Sequence, residues 1–498
     1  MAILTLISKG FGFIREMFMA NYFGTSYVTD AYVMAQAIPG IIFAGVLGSV
    51  ATAYMPIYSR IAEKQGEAES NKFTSQVLNI LLLVSIIAAI VGIVFSDQIV
   101  AVFASGFSGE TAALCSFFLK VTFSYMIFAN TASVLESFLQ YKGVFLPQII
   151  GGYATNIAVI AVIVLSGLFS QYYLAFGWLV GYIIRLIVAA VLAKKRRFFY
   201  TLTIGKDDNI RNIAILALPV FIGSSISQIN VFVDKTLASG LIEGSVAALN
   251  YGMLLITLVT GLTISILTTI LYPKLAQASS RLDNDRFSDI IGTGMTLIAI
   301  VAIPCALGAM VYSNQIVQIV YERGAFDSVA TTLTAAAFFY YAIGLPFMSA
   351  NDLMIRAYYS MHDMKTPLVV GGFSVVVNIV LILILIGPMG LSGLALATSI
   401  AALSNAILLL AGIRWKYPGV KVLKSKTKLL KITLAAIVAV GTSVIVYQFI
   451  VIKLSYIIVS RMAQLSITVI AAGMVYFLLL YLMKIDEIKM IKQILVRN

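Results

Sequence analysis

Histidine and cysteine are nearly absent from this sequence. Its 498 residues include one histidine, His362, and two cysteines, Cys115 and Cys305, each inside an apolar segment. Two cysteines separated by 190 positions fit neither a disulfide framework nor the close spacing of a metal site. With so little imidazole and thiol, the chain is poorly equipped for zinc chemistry or for catalysis by a nucleophile that a histidine activates.

Charged residues are also scarce. Only 11% of the residues are charged, while 60% are hydrophobic and the mean hydropathy is +0.99. A helix needs about 20 predominantly apolar residues to cross a bilayer, and segments of this kind follow one another almost from end to end. The short alternating apolar and polar segments of a transmembrane β-barrel are missing. The sequence therefore predicts an all-α polytopic membrane protein.

The apolar segments predict fourteen membrane helices. Much of the net charge of +13 is carried by loops on one side of them, including KKRRFFYTLTIGKDDNIR and RWKYPGVKVLKSKTKLLK. Because loops rich in Lys and Arg stay in the cytoplasm, we expect both termini to be cytoplasmic and the charge to reflect topology rather than nucleic-acid binding. The predicted helices cover residues 2–24, 29–58, 74–96, 111–138, 147–168, 172–193, 212–238, 245–272, 289–312, 328–358, 367–387, 391–412, 431–452 and 462–483.

The chain also repeats itself. FSDQIV at residues 95–100 matches YSNQIV at residues 312–317, and Pro56 and Pro273 share this offset of 217. PQIIGGY and PLVVGGF match at an offset of 220. An even number of helices per repeat gives two parallel lobes related by an axis along the membrane normal, which favours a transporter with a central cavity. We expect lobes at residues 1–200 and 201–415, followed by two further helices and a tail at 416–498.

Three charged residues interrupt the first apolar segment, in the stretch SKGFGFIRE. A charge near the bilayer centre costs about 2.5–3.5 kcal/mol on insertion scales, so it normally faces a partner or a polar cavity. We therefore expect Lys9 and Arg15 to face the cavity, together with Lys120 in the apolar stretch CSFFLKVTFSY. The alternatives are that Lys9 reaches the membrane surface and that Arg15 pairs locally with Glu16.

Cations that line a cavity suit an anionic substrate. The planar guanidinium of arginine binds phosphate through two parallel hydrogen bonds, so the sequence predicts a basic pocket for a phosphate-bearing ligand. Asp30 follows the turn FGTSYVT, where a carboxylate can instead cap the N-terminus of its helix. Asp234 either forms a structural pair with Lys235 or binds a cation.

Several stretches of the chain resemble the MurJ (MviN) family of lipid II flippases, in the multidrug/oligosaccharidyl-lipid/polysaccharide exporter superfamily. They are SKGFGFIRE with FGTSYVTDAY, SQINVFVDKTLASGLIEGSVAALNY, YERGAFD and RAYYSMHDMKTP. The resemblance implies a bacterial inner-membrane transporter, not an enzyme, that uses alternating access. It would move undecaprenyl-diphosphate-linked peptidoglycan precursor from the inner to the outer leaflet. We expect a monomer that contacts membrane lipids and needs no cofactor, apart from Na⁺ or H⁺ as a possible coupling ion.

The resemblance also implies site residues. Arg15, Lys9 and Asp30 match the family's charged positions, whereas Phe43 and Leu254 stand where further cavity arginines are expected. The basic pocket is thus reduced, and it remains open whether lysines replace the missing arginines. The predicted substrate-binding residues are Lys9, Arg15, Asp30 and Lys120.

A sodium site and a gate complete the predicted set. The resemblance implies that Asp234, Asn378 and Thr398 bind sodium, although a second expected carboxylate is missing and a proton could replace the ion. The alternative for Asn378 and Thr398 is hydrogen bonding between helices. Glu322 and Arg323, in YERGAFD on the outer side, are a possible gate, and an ordinary loop ion pair is the alternative.

Other functions compete with lipid II transport. The chain could carry another lipid-linked oligosaccharide of capsule, teichoic or O-antigen type, or it could be a cation-coupled multidrug antiporter of the same superfamily. Such an antiporter would favour acidic residues in the first lobe, where this chain has basic ones. A membrane glycosyltransferase would need acidic residues beside a large outer loop, and the predicted outer loops are short. A scaffold that does not transport is a further alternative.

Overall fold

The computed structural model describes residues 2–203, 208–261, 265–422, 426–453 and 460–487, and their regular structure is helical, without a strand. Ten helices in these ranges are long and apolar enough to cross a membrane, which confirms the predicted all-α multi-pass membrane protein. The first helices are α1 (Ala2–Phe23), α2 (Tyr27–Val94), α3 (Ser96–Phe103), α4 (Gly109–Tyr141), α5 (Leu146–Leu168), α6 (Phe176–Lys195), α7 (Asp208–Ser239) and α8 (Ser245–Val259). The others are α9 (Ser265–Ser280), α10 (Asn284–Val311), α11 (Ser313–Tyr321), α12 (Ser328–Ser360), α13 (Lys365–Met389), α14 (Leu391–Lys416), α15 (Lys426–Lys453) and α16 (Arg461–Leu482).

The helix α2 joins two segments that the sequence analysis separated. The stretch SRIAEKQGEAESNK, which was expected to be a loop, is helical except at Gly66, where φ is 85° and ψ is −179°. Alanine, glutamate, glutamine and lysine have high helix propensity, so this polar stretch extends both flanking helices. Gly66 breaks the run because a residue without a Cβ adopts this backbone conformation without steric penalty.

The chain divides into two compact units. The first unit contains Met1–Ala248 and Arg323–Ala330, and the second contains Leu249–Glu322 and Thr331–Asn498. The helix α7 thus belongs to the first compact unit, whereas the repeat places it in the second predicted lobe. The lobe boundaries stay a prediction, because compactness and an internal repeat define different divisions.

Each unit has its own buried core. In the first unit α4 packs against α2 and α6, and rings such as Phe118 and Phe138 are fully buried. In the second unit, α15 packs against α10 and α16, and Tyr476 donates a hydrogen bond of 2.8 Å to the Ile300 carbonyl oxygen. Small side chains on α15 allow this close approach. The α15 residues in this buried core are Ile432, Ala435, Ala436 and Ala439.

Within the first unit, the end of α1 contacts the RGAFD part of the motif YERGAFD. The Ala325 amide donates a hydrogen bond of 2.8 Å to the Asn21 carbonyl oxygen. Gly24 and Gly324 have φ of +56° and +59°, and a Cβ on either would collide with a backbone oxygen of the other segment. Both positions therefore require glycine, and two of the motifs that carried the resemblance lie side by side.

The motif RAYYSMHDMKTP closes the turn between α12 and α13 in the second unit. Asp363 accepts hydrogen bonds from the Thr366 hydroxyl at 2.8 Å and from the Lys416 ammonium, at the end of α14, at 2.7 Å. Burial opposes ionisation of the Asp363 carboxyl, but the bonds from Lys416 and Thr366 outweigh it and lower its pKa to about 2. The carboxylate is therefore charged at neutral pH and holds three helix ends together.

Candidate functional site

Arg15 lies in α1 with its guanidinium fixed on three sides. Its Nε and Nη2 donate to Oε1 of Glu16 at 3.0 Å and 2.5 Å, and its Nη1 donates to Oδ1 of Asn156 in α5 at 3.2 Å. The guanidinium carbon lies 4.6 Å from the centre of the Trp178 ring in α6. The local Arg15–Glu16 pair expected as an alternative is therefore present, and the side chain of Arg15 remains 18% exposed.

Three parallel aromatic rings lie behind Arg15. The rings of Tyr125, in α4, and Tyr182, in α6, stack at 5.1 Å with an angle of 9°. Trp178 lies 6.0 Å from Tyr182 and 6.3 Å from Tyr125, at angles of 25° and 27°. The Tyr125 hydroxyl donates to Oε1 of Gln36, in α2, at 3.0 Å. We call these three rings the aromatic stack; it supports the face of the Arg15 guanidinium through a cation–π contact.

An ion pair that the sequence analysis missed joins α4 to α6. Arg185 donates from Nε and Nη2 to the two carboxylate oxygens of Glu136 at 2.6 Å and 2.7 Å. The guanidinium carbon of Arg185 also lies 5.7 Å from the Tyr182 ring. The sequence does contain a signal for this pair. Glu136 is the single charge in the stretch SVLESFL, and Arg185 is the single charge in the apolar stretch GYIIRLI.

Asp30 caps a helix, although not its own. It lies in the first turn of α2, but its two carboxylate oxygens each accept a hydrogen bond of 2.7 Å, from the backbone amides of Gly244 and Ala247 at the start of α8. In return, Glu243 accepts a bond of 2.9 Å from the amide of Tyr27, the first residue of α2. Asp30 is only 3% exposed. Each helix N-terminus thus receives a carboxylate from the other segment, which neutralises amides that the helix itself leaves unpaired.

Of the two predicted lysines, the structure describes the side chain of Lys120 only. Lys120 is half-buried in α4, and across the described ranges no hydrogen-bond or ion-pair partner reaches its ammonium group. The side chains of Lys9 and Phe43 lie outside the described residues. Leu254, the other position where an arginine was expected, is a half-buried apolar residue of α8. Substrate binding by the lysines stays a prediction.

The predicted sodium ligands and gate residues are divided between the two units. Asp234 belongs to the first unit, while Asn378 is fully buried in the second and Thr398 donates to the Leu394 carbonyl oxygen at 3.1 Å. Glu322 accepts bonds from Gln318 at 2.9 Å and from Thr331 at 2.8 Å, both within the second unit. Two functional assignments stay predictions: the sodium ligands Asp234, Asn378 and Thr398, and the gate residues Glu322 and Arg323.

The geometry of Arg15 suits an oxyanion with more than one oxygen. Glu16 satisfies the Nε–Nη2 edge of Arg15 with a single oxygen, Oε1. A phosphate can present two oxygens to this edge and form the parallel pair of bonds that the guanidinium favours. The guanidinium of Arg15 therefore has the chemistry to bind a phosphate group, and Trp178 covers one of its faces.

Comparisons with known proteins agree on one family. The family model described as "Lipid II flippase MurJ" matches residues 19–478. The probable lipid II flippase MurJ of Rickettsia prowazekii is 25% identical to this chain, over 97% of this chain and 97% of the relative. The probable lipid II flippase MurJ of Rhizobium meliloti is 28% identical, over 83% of this chain and 79% of the relative. A solved structure, "Lipid II flippase MurJ, inward closed conformation", has a TM-score of 0.83 and 26% identity, over 98% of this chain and 99% of its own. A multidrug resistance MATE family transporter of the MOP superfamily, 14% identical with a TM-score of 0.67 over 85% of this chain and 96% of its own, shares the fold.

Proposed function

The chain belongs to the family of the lipid II flippase MurJ, and from this premise we propose that Arg15 binds the diphosphate of lipid II. The chain is a lipid II flippase, a transporter rather than a catalyst, with the fold of the multidrug/oligosaccharidyl-lipid/polysaccharide exporter superfamily. Lipid II joins its sugar headgroup to its lipid tail through a diphosphate. A pocket for this substrate therefore needs a cation at the membrane-embedded part of the path.

The observation that carries the proposal is the fixed guanidinium of Arg15. It is held in α1, in the first predicted membrane segment, by Glu16, Asn156 and the face of Trp178. An arginine in this setting is costly unless it serves a ligand or a partner. Because its present partner Glu16 uses one oxygen, a diphosphate that offers several oxygens competes effectively for the same edge.

Lys120 supplies the second cation of the proposed site. The family resemblance expects arginines where this chain has Phe43 and Leu254, so fewer guanidinium groups are available. Lys120 lies half-buried in an apolar helix, and in the part of the chain that the structure describes no partner satisfies its ammonium group. An ammonium group of this kind attracts an anion as a point charge, without the fork geometry of arginine.

The remaining features of transport follow from the same proposal. We place the chain in the bacterial inner membrane with both termini in the cytoplasm, acting as a monomer and without nucleic acid. It moves lipid II from the inner to the outer leaflet by alternating access. Coupling to Na⁺ or H⁺ through Asp234, Asn378 and Thr398 is part of this proposal, and Glu322 and Arg323 are its gate on the outer side.

Growth rescue tests the proposed function and the role of Lys120 together. In bacteria depleted of their own lipid II flippase, we expect the parent chain to restore growth. Lys120→Met, which keeps an unbranched side chain of similar size and removes its charge, is expected to weaken rescue clearly, because the diphosphate loses one of its two cations. Lys194→Met, at an exposed position near the end of α6, is the matched control and should rescue as the parent does.

Two outcomes would contradict the proposal. If the parent is well expressed and inserted in the membrane but fails to restore growth, lipid II is not its substrate, and another lipid-linked oligosaccharide becomes the better candidate. If Lys120→Met rescues as fully as Lys194→Met, Lys120 does not contact the diphosphate.

A further inference from the structure

We propose that Arg185 and Glu136 are positioning residues for Arg15, because their ion pair fixes the aromatic stack on which the Arg15 guanidinium lies. This inference rests on the proposed role of Arg15 in binding the diphosphate. It assigns a function to a pair of charges that neither the resemblance nor the proposed site includes.

The Glu136–Arg185 ion pair is bidentate and joins two helices that are long and apolar enough to cross a membrane. Both carboxylate oxygens of Glu136 are used by the guanidinium fork of Arg185, at 2.6 Å and 2.7 Å. The side chains are 5% and 22% exposed. Replacing a buried ion pair by apolar residues is often neutral or stabilising, so stability alone is a weak reason for two charges at this place.

The geometry connects this pair to Arg15 through one face of α6. Trp178, Tyr182 and Arg185 are spaced by four and three residues, which places them in a row along the helix. Arg185 lies 5.7 Å from the Tyr182 ring, and Arg15 lies 4.6 Å from the Trp178 ring. The aromatic stack is therefore held between two arginines, one of which is locked by Glu136 and the other of which faces the substrate.

The helices leave little room for the row to rotate. A Cβ added to Gly151, in α5, would lie 2.7 Å from Cγ of Arg185. A Cβ added to Gly181, in α6, would lie 2.8 Å from Cγ2 of Thr155, in α5. The aliphatic part of the Arg185 side chain thus packs closely against α5. Glu136 then sets the direction of the Arg185 guanidinium, and the guanidinium in turn orients the Tyr182 ring.

Loss of the Glu136 charge is expected to loosen this arrangement without removing Arg15. In Glu136→Gln the fork of Arg185 keeps one acceptor and loses its counter-charge, so Arg185 turns away from Tyr182 and the aromatic stack shifts. We expect lipid II to bind purified protein about tenfold more weakly, a change of about 1.4 kcal/mol. Glu487→Gln breaks a different ion pair, with Lys428 at 2.7 Å in the second unit, and should leave lipid II binding unchanged.

Tryptophan fluorescence distinguishes a positioning role of the ion pair from a purely structural one. It has two tryptophans, Trp178 in the stack and Trp415, which is 85% exposed. In a Trp415→Phe background the emission of Trp178 reports the contact with Arg15. We expect Glu136→Gln and Arg15→Ala to shift this emission in the absence of substrate, and Glu487→Gln to leave it unchanged.

The decisive comparison combines the two sites. Because Glu136 acts through Arg15, Glu136→Gln should weaken binding no further once Arg15 is alanine. Arg185→Lys keeps the charge but loses the planar fork. It should weaken lipid II binding and shift the Trp178 emission as Glu136→Gln does, and it replaces Glu136→Gln in the test if Glu136→Gln folds poorly. Unchanged Trp178 emission in both variants, or a fully additive loss of binding, would overturn the inference. If Arg15→Ala itself binds lipid II normally, the proposed function fails, while the emission still tests the positioning.

Discussion

Arg15→Ala is expected to weaken the binding of lipid II at least 100-fold and to abolish growth rescue. The change removes the planar cation that the diphosphate would contact through charge-assisted hydrogen bonds. It also leaves Glu16 without its guanidinium partner in the first predicted membrane segment. Truncating one partner of a buried, hydrogen-bonded charge pair across a binding interface costs about 2–5 kcal/mol, and a 100-fold loss of affinity corresponds to about 2.7 kcal/mol.

Two control variants separate the guanidinium from its surroundings. Arg15→Lys keeps the charge but loses the fork that rests on Trp178, and we expect a loss of about tenfold. Glu16→Gln keeps the guanidinium and removes only the charge that competes with the phosphate, so it should bind lipid II at least as well as the parent. Binding of lipid II to the purified variants measures all three effects. Normal binding by Arg15→Ala would contradict the proposed site.

Asp30→Ala is expected to destabilise the protein by about 2–6 kcal/mol and to eliminate transport. The carboxylate accepts two backbone amides, from Gly244 and Ala247, and is almost fully buried. Each buried amide left without an acceptor costs about 1–3 kcal/mol, and the first turn of α8 also loses a favourable negative charge. Thermal unfolding of the purified protein in detergent, followed by transport of the folded fraction, measures the two effects separately.

Asp30→Asn and Asp327→Ala are the comparison variants for Asp30→Ala. Asp30→Asn keeps one acceptor oxygen and should lose about half of the stability that Asp30→Ala loses. Asp327→Ala removes an exposed cap with one bond, to the Ala330 amide at 2.8 Å, and should cost about 1 kcal/mol. If Asp30→Ala unfolds at the same temperature as the parent, the amides of α8 find other partners and the capping role is wrong.

The fold could be predicted from sequence because hydropathy depends on short stretches. About 20 apolar residues suffice to identify a membrane helix, and each predicted segment needs no knowledge of the others. The stretch around Gly66 was mispredicted because a polar segment reads as a loop, although its alanine, glutamate and lysine residues also favour a helix. The local pairing of Arg15 with Glu16 was accessible for the same reason, since the two residues are neighbours.

Contacts between distant residues could not be predicted in this way. Capping of its own helix was the alternative to substrate binding for Asp30, and its actual amide partners are 214 and 217 positions away. Arg15 and Asn156 are separated by 141 positions, and the aromatic stack draws Tyr125 and Trp178 from different helices. Which faces of these helices meet depends on their rotation and packing, and hydropathy alone does not specify either.

Translocation of fluorescent lipid II across proteoliposomes tests the central claim most directly. A membrane-impermeant quencher measures how much lipid II has moved between leaflets in vesicles with the parent, with Arg15→Ala or without protein. We predict rapid translocation with the parent, and with Arg15→Ala only the slow rate of protein-free vesicles. Equal rates for the parent and protein-free vesicles would contradict lipid II transport, and equal rates for the parent and Arg15→Ala would contradict the role of Arg15.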